Sequence, residues 1–334
     1  VEQCAMDLMA LPKAELHVHL EGTLEPTMLL ALARKNRVQV PYANREEVLE
    51  AYQFGSLDAF LQLYYAGMAV LRTPEDFTAL TEAYFDRVAV QGVKHAELFF
   101  DPQAHQEKGL NFVQILGGIE EGCRRALSKH SISSLLIPCI LRHLDPEAAL
   151  RLVDEMLPHK DRFVAVGLDS SEQGRPPSLF AKAFKRVRDA GVKTVAHAGE
   201  EGPADYIRQA IDLLGISRID HGVRILEDAE LTKAVAQDGI PLTVCPVCNV
   251  RLGVFGSLEQ HNLPRLIDAG LAVTLNSDDP AYIQSYIGDN YVACAQALGI
   301  QEKTLVALAR RSFTASFLPE EEKLRLSGLV PTLA

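Results

Sequence analysis

Eight short runs of apolar and β-branched residues recur along this chain, at 14–20, 94–101, 133–141, 163–169, 193–197, 218–223, 241–246 and 271–277. Amphipathic stretches lie between them, for example at 112–129, 146–157, 179–190, 204–214, 228–238 and 258–269. Glycine stands at several helix-to-strand joints (Gly92, Gly191, Gly215, Gly239, Gly270), as it does where helices close with a left-handed residue. Near-continuous apolar strands alternating with helices predict a parallel sheet covered on its faces, because parallel strands need helical crossovers. Eight such units in 334 residues predict the α/β class and a closed (β/α)8 TIM barrel, a single domain over 1–334, in preference to an open doubly wound sheet.

Two stretches exceed a plain barrel. Between the first and second strands lie residues 21–93, where one helix would suffice; 23–35, 57–71 and 74–91 read as helices joined through 36–55. An insertion after a barrel strand sits at the rim where active sites form, so about 23–91 is expected to act as a helical lid. After the eighth strand, 282–298, 302–312 and 319–326 read as extra C-terminal helices.

Composition excludes some partners. Net charge is −11, from 33 Lys and Arg against 44 Asp and Glu, which disfavours a nucleic-acid backbone or an anionic membrane. There is no apolar run of about 20 residues and no charged–apolar–small leader, so the cytoplasm is the default expectation. Six scattered cysteines (Cys4, Cys123, Cys139, Cys245, Cys248, Cys294) suit reduced thiols better than a disulfide frame. No apolar stripe marks a subunit interface, which leaves the oligomeric state open.

Four of the predicted strands end in residues that can ligate a metal or move a proton. His17 and His19 are two apart on the first, so both face the same side, and two imidazoles together in a core need a shared partner. His197 is followed three positions later by Glu200, Asp220-His221 ends the sixth strand, and Asp278-Asp279-Pro280 closes the eighth. Taken singly each has an ordinary reading: core histidines bonded to backbone, a solvated glutamate, an Asp-Pro turn that caps a helix. In a barrel, however, all four ends share one rim. Three histidines, an aspartate and a water make a catalytic zinc shell with an open position, leaving Glu200 and His221 as acid–base groups. Adjacent Asp278 and Asp279 point apart, so one can bind metal while the other faces substrate.

A second zinc reading uses His95-Ala96-Glu97 and Cys245-Pro246-Val247-Cys248, which superficially match an H-x-E…P-C-x-x-C pattern. Val244 stands where that pattern needs proline. Cys245 and Cys248 are therefore read as buried thiols of the seventh strand, and His95 and Glu97 as polar filling of the barrel.

Leu16-His17-Val18-His19-Leu20-Glu21-Gly22, His197-Ala198-Gly199-Glu200, Asp220-His221-Gly222 and Ser277-Asp278-Asp279-Pro280 resemble, in order and content, the adenosine/adenine deaminase family of zinc-dependent amidohydrolase barrels, from about Leu11 to Phe317. The resemblance implies one zinc per chain on His17, His19, His197 and Asp278. It also implies proton donation by Glu200, a catalytic imidazole at His221, and a substrate hydrogen bond from Asp279. The implied chemistry displaces ammonia from C6 of a purine: zinc lowers the pKa of water from about 15.7 towards roughly 7, and a protonated Glu200 gives its proton to N1 as C6 is attacked. His221 and Asp278 would orient and deprotonate the water, and Asp279 would pair with N7.

The substrate is a small purine. Glu21 stands where nucleoside-specific members carry an aspartate, and Gly167-Leu168-Asp169-Ser170-Ser171-Glu172 looks like the adenine branch. A carboxylate such as Glu172 near N3 and N9 would accept the N–H of free adenine and crowd a ribose, so adenine is expected over adenosine or an N6-modified purine. Phe60 and Tyr64 fall where the family places aromatic lid residues. The non-enzyme alternative is a catalytically dead purine-binding barrel; its mark would be a missing ligand or acid, and none is missing.

Overall fold

A computed structural model describes residues 6–332, so Cys4 lies outside the described residues. The eight strands are β1 Lys13–His19, β2 Val93–Phe100, β3 Ser133–Leu141, β4 Ala165–Asp169, β5 Lys193–Ala198, β6 Arg218–His221, β7 Leu242–Val244 and β8 Val273–Leu275. All neighbouring pairs are parallel, in the order β1 to β8. The ring closes just past β8, where Val18 bridges Asp278 and the amide of His19 donates to the Asp278 carbonyl at 2.9 Å. The predicted (β/α)8 barrel is thus present, with β7 and β8 only three residues long.

The barrel holds two separate apolar masses. The larger lies between strands and helices; Phe99, Ile137, Cys139, Ala165 and Val195 form a small cluster of their own. Below that cluster the filling is polar. Glu97 pairs with Arg218, His95 lies 3.5 Å from Glu97, and the Phe317 ring covers the Arg218 guanidinium at 4.7 Å. His95 and Glu97 therefore have the structural duty expected of them.

The insertion contains four helices where three were predicted: α1 Pro26–Asn36, α2 Arg45–Ala51, α3 Leu57–Met68 and α4 Pro74–Ala89. The additional one, α2, begins where Asn44 caps the Glu47 amide at 3.0 Å. The stretch expected as one helix at 282–298 is broken: Pro280–Ile283 stops at Gln284, whose φ is +59°, and Ile287–Leu298 starts anew. No described helix is long and apolar enough to cross a membrane.

Candidate active site

The strand ends converge on one point. His17 Nε2 and His19 Nε2 each lie 3.1 Å from His197 Nε2. Asp278 Oδ1 is 3.1 Å from His17 Nε2 and 3.4 Å from His19 Nε2. All four residues are buried. A tetrahedral ion with ligand arms of about 2.0–2.1 Å has edges of roughly 3.3–3.4 Å.

The protons on the far side of each ring decide what this convergence means. Thr243 donates its hydroxyl to Asp220 Oδ1 at 2.8 Å, so it accepts from His17 Nδ1 at 2.9 Å. His17 therefore carries its proton on Nδ1 and turns a bare Nε2 inward. His19 Nδ1 and His197 Nδ1 have no hydrogen-bond partner among the described residues; the carboxylates nearest to them are Asp169 at 3.6 Å and Asp220 at 3.9 Å. Burial lowers the pKa of His19, and burial together with His17 and His221 lowers that of His197 much further. Burial opposes ionisation of Asp278, yet the imidazoles of His17 and His221 outweigh it and hold the carboxyl well below its usual range. Three imidazole nitrogens and a carboxylate oxygen face one another within about 3.1–3.4 Å. That donor set fits a divalent cation, and a metal cofactor is the reading it supports.

Backbone strain is concentrated on the same rim. Ser170, His221 and Asp278 have φ of +75°, +64° and +68°, a region costly for residues with a Cβ, at about 1–3 kcal/mol each. They follow or end β4, β6 and β8, where the left-handed turn swings the next side chains across the barrel mouth. Gly22 is required by the same crowding, since a Cβ there would stand 2.1 Å from Asp279 Oδ1.

Above the ligands is a cavity walled by His19, Asp101, Asp169, Glu200, His221 and Asp279. Helix α3 covers it with Leu57, Phe60, Leu61, Tyr64 and Tyr65, one stripe at helical spacing. Tyr65 fastens this cover by donating to Ser170 Oγ at 3.1 Å. Phe60 and Tyr64 thus face the cavity, as expected. Glu200 is buried, and burial followed by the charges of Asp278, Glu172 and Glu201 raises its pKa well above the carboxylate range. Asp279 Oδ1 has no hydrogen-bond partner among the described residues.

Glu172 and Glu21 are placed differently from expectation. Glu172 is no part of the cavity wall; it accepts from the amides of Gly199 at 3.2 Å, Glu200 at 3.5 Å and Gly202, with Arg142 Nη1 3.7 Å away. Glu21 accepts from the Asp101 amide at 3.0 Å and from His105 Nε2 at 2.8 Å, also away from the cavity. Glu172 is satisfied by local donors, while Glu21 keeps Oε2 unpartnered, and neither residue lines the cavity.

Two residues that the sequence reading missed set the state of His221. The amide of Leu263 donates to His261 Nδ1 at 3.0 Å, so His261 carries its proton on Nε2 and donates to Asn249 Oδ1 at 3.3 Å. The Asn249 amide nitrogen then faces Glu200 Oε1 at 3.1 Å and His221 Nδ1 at 3.3 Å. Burial lowers the His221 pKa to about 3, so the ring is neutral, with its proton on Nε2. That proton points at Asp278 Oδ2 (3.6 Å) and Glu200 Oε2 (3.5 Å). His221 can therefore orient a water molecule; of the two groups expected to deprotonate it, Asp278 Oδ2 has the free lone pair. The buried polar Asn249 just past the short seventh strand was the available signal, overshadowed in the sequence by Cys245 and Cys248.

Known proteins match nearly the whole of this chain. The adenosine deaminase family model matches residues 12–332. An adenine deaminase of Hahella chejuensis is 50% identical over 319 residues, 96% of each chain. One of Acinetobacter baylyi is 49% identical over 95% of each. Among solved structures, an adenine deaminase from Arthrobacter aurescens superposes with a TM-score of 0.94 at 42% identity, over 96% of this chain and 98% of that one. An amidohydrolase from Burkholderia ambifaria with bound zinc gives a TM-score of 0.89 at 28% identity, over 96% and 90%.

Proposed function

The chain belongs to the adenosine deaminase family, and from that premise we propose that it hydrolyses adenine to hypoxanthine and ammonia, a purine-salvage reaction. The observation that carries the chemistry is the convergence of His17, His19, His197 and Asp278, with His221 close to the same point, beside a buried, proton-holding Glu200 at the floor of a covered cavity. Relatives about half identical over nearly the whole chain are named adenine deaminases, which supports the base as substrate.

His17, His19, His197 and Asp278 would hold one zinc ion per chain; the relative with bound zinc supports that metal over others. When bound, such an ion supplies Lewis acidity that brings the pKa of water towards about 7. The protein's own groups do the rest. Asp278 Oδ2 takes a proton from the attacking water while His221 Nε2–H holds its oxygen towards C6. Glu200 delivers its proton to N1 as the C6–O bond forms, so the ring loses aromaticity without stranding charge. Asp279 bonds N7 and fixes the ring edge-on. The C6–N bond then breaks: the proton held by Asp278 leaves with the amine as ammonia, the remaining hydroxyl proton passes back to Glu200 as C6=O forms, and the N1 proton stays on hypoxanthine. Helix α3 excludes bulk water throughout.

The free thiols of Cys123, Cys139, Cys245, Cys248 and Cys294 support a reducing compartment, and we read the enzyme as cytoplasmic. Its partner is a small-molecule purine. Incubating the protein with adenine tests the reading: ammonia and hypoxanthine should appear in equal amounts, with about one divalent ion per chain by elemental analysis. A metal-loaded protein that binds adenine and releases no ammonia would make it a purine-binding barrel instead.

A further inference from the structure

The steps above engage C6, N1 and N7 of the ring and leave the opposite edge unassigned. Reaction at C6 places N3, which lies across the six-membered ring, and its neighbour N9 against the far wall. Topology says which wall that is. The converging groups come from β1, β5, β6 and β8, so they gather about the β7 side; β3 is diametrically opposite, flanked by β2 and β4. The ends of those two strands present Asp101 and Asp169, and both line the cavity. Asp101 is 1% exposed, and its Oδ1 has no hydrogen-bond partner among the described residues. The charges that act on it, those of Asp169, Glu21 and Asp279, are all acidic. A buried carboxyl oxygen with no protein donor and only acidic company calls for a donor from the ligand.

We propose that Asp101 is a specificity residue whose carboxyl group takes the N3/N9–H edge of free adenine and so selects the base over N9-substituted purines. This rests on the adenine deaminase reading. The edge presents one acceptor (N3) beside one donor (N9–H). Asp101 stands within hydrogen-bonding reach of Asp169, so a proton held between the two carboxyl groups leaves the unpartnered Asp101 oxygen as the acceptor that the N9–H donor requires. A substituent on N9 deletes the donor and sets carbon against the buried carboxyl. Asp169 Oδ1 is likewise unpartnered, but Asp169 turns its Oδ2 towards His19 at 3.6 Å, which ties it to the ligand side, and Glu172 is held by three backbone amides.

The test compares kcat/KM for adenine and 9-methyladenine in metal-loaded wild type, Asp101→Asn and Asp101→Leu, with melting temperature and metal content as controls. The wild type should favour adenine by about 10³-fold or more, since a site built around a substrate N–H rejects analogues that lack it. Asp101→Leu should lose about 10²-fold on adenine and bring the adenine preference within about tenfold. Asp101→Asn, which keeps a donor and an acceptor, should lose at least about tenfold less than Asp101→Leu. A well-folded Asp101→Leu that keeps the wild-type preference overturns the proposal. If that variant fails to fold, inhibition of the wild type decides: purine should bind at least about 10²-fold more tightly than 9-methylpurine, and parity overturns the proposal. Wild type that leaves adenine intact refutes the functional reading and this inference with it; adenine turnover with unaltered selectivity removes the inference alone.

Discussion

At the scale of single residues, the chemistry rests on protonation states set by burial. Glu200 keeps its proton because it is buried and Asp278, Glu172 and Glu201 surround it. Glu200→Gln should retain the metal and lose roughly 10²–10⁴-fold in kcat, measured with elemental analysis on the same sample. The acid is active only while protonated, so turnover should be sustained through neutral pH and fall as pH rises through the raised pKa of Glu200. A profile that instead falls on acidification, around the usual glutamate pKa, would assign Glu200 the role of a base. The convergence of His17, His19, His197 and Asp278 was legible because strand ends in a barrel share a rim, and residue spacing tells which side chains share a face. Glu172 and Glu21 were not, because spacing does not tell which neighbouring donors a carboxylate will find. Asn249 and His261 were hidden for a related reason: their importance lies in a hydrogen-bond chain that begins at the backbone amide of Leu263.

At the scale of elements, the rim loops are held by few, strong ties. Glu172, beyond β4, ties down the turn after β5 that carries Glu200, and also faces the buried Arg142. Glu172→Ala should destabilise the fold by about 3 kcal/mol, because it takes away the carboxylate that acts most strongly on the buried Arg142 guanidinium and leaves it to Asp169 and Glu201. It should also lower kcat by loosening Glu200; urea unfolding and steady-state kinetics on one preparation check both. Unchanged stability would show that Arg142 finds another partner. The long helices were legible from their periodicity. The extra α2 and the break at Gln284 were not, since both hinge on local capping and one left-handed residue rather than on apolar pattern.

At the scale of the whole molecule, the barrel separates function from stability along its axis. The C-terminal rim carries the strained, reactive residues, and the opposite end is sealed by packing. Lys13 belongs to that seal: buried beside Tyr291, it donates to the carbonyls of Met9 at 3.0 Å and Gln91 at 2.7 Å. Burial lowers its pKa from 10.5 to about 7, against the pull of Glu15 and Asp7. Between about pH 7 and pH 10 the unfolded chain therefore holds a proton that the folded chain has released, so this group makes stability rise with pH in that window. Lys13→Met should remove that rise from the melting-temperature profile; an identical slope in the two proteins would show that Lys13 stays charged. The fold class was legible because eight βα units have few closed solutions. The substrate was only partly so, because selectivity is decided by which carboxylates remain unpartnered on the β2–β4 wall. Steady-state turnover of adenine and adenosine by the same metal-loaded protein tests the central claim most directly. Adenine should exceed adenosine in kcat/KM by about 10³-fold or more, and adenosine turned over as well as adenine, or better, would contradict it.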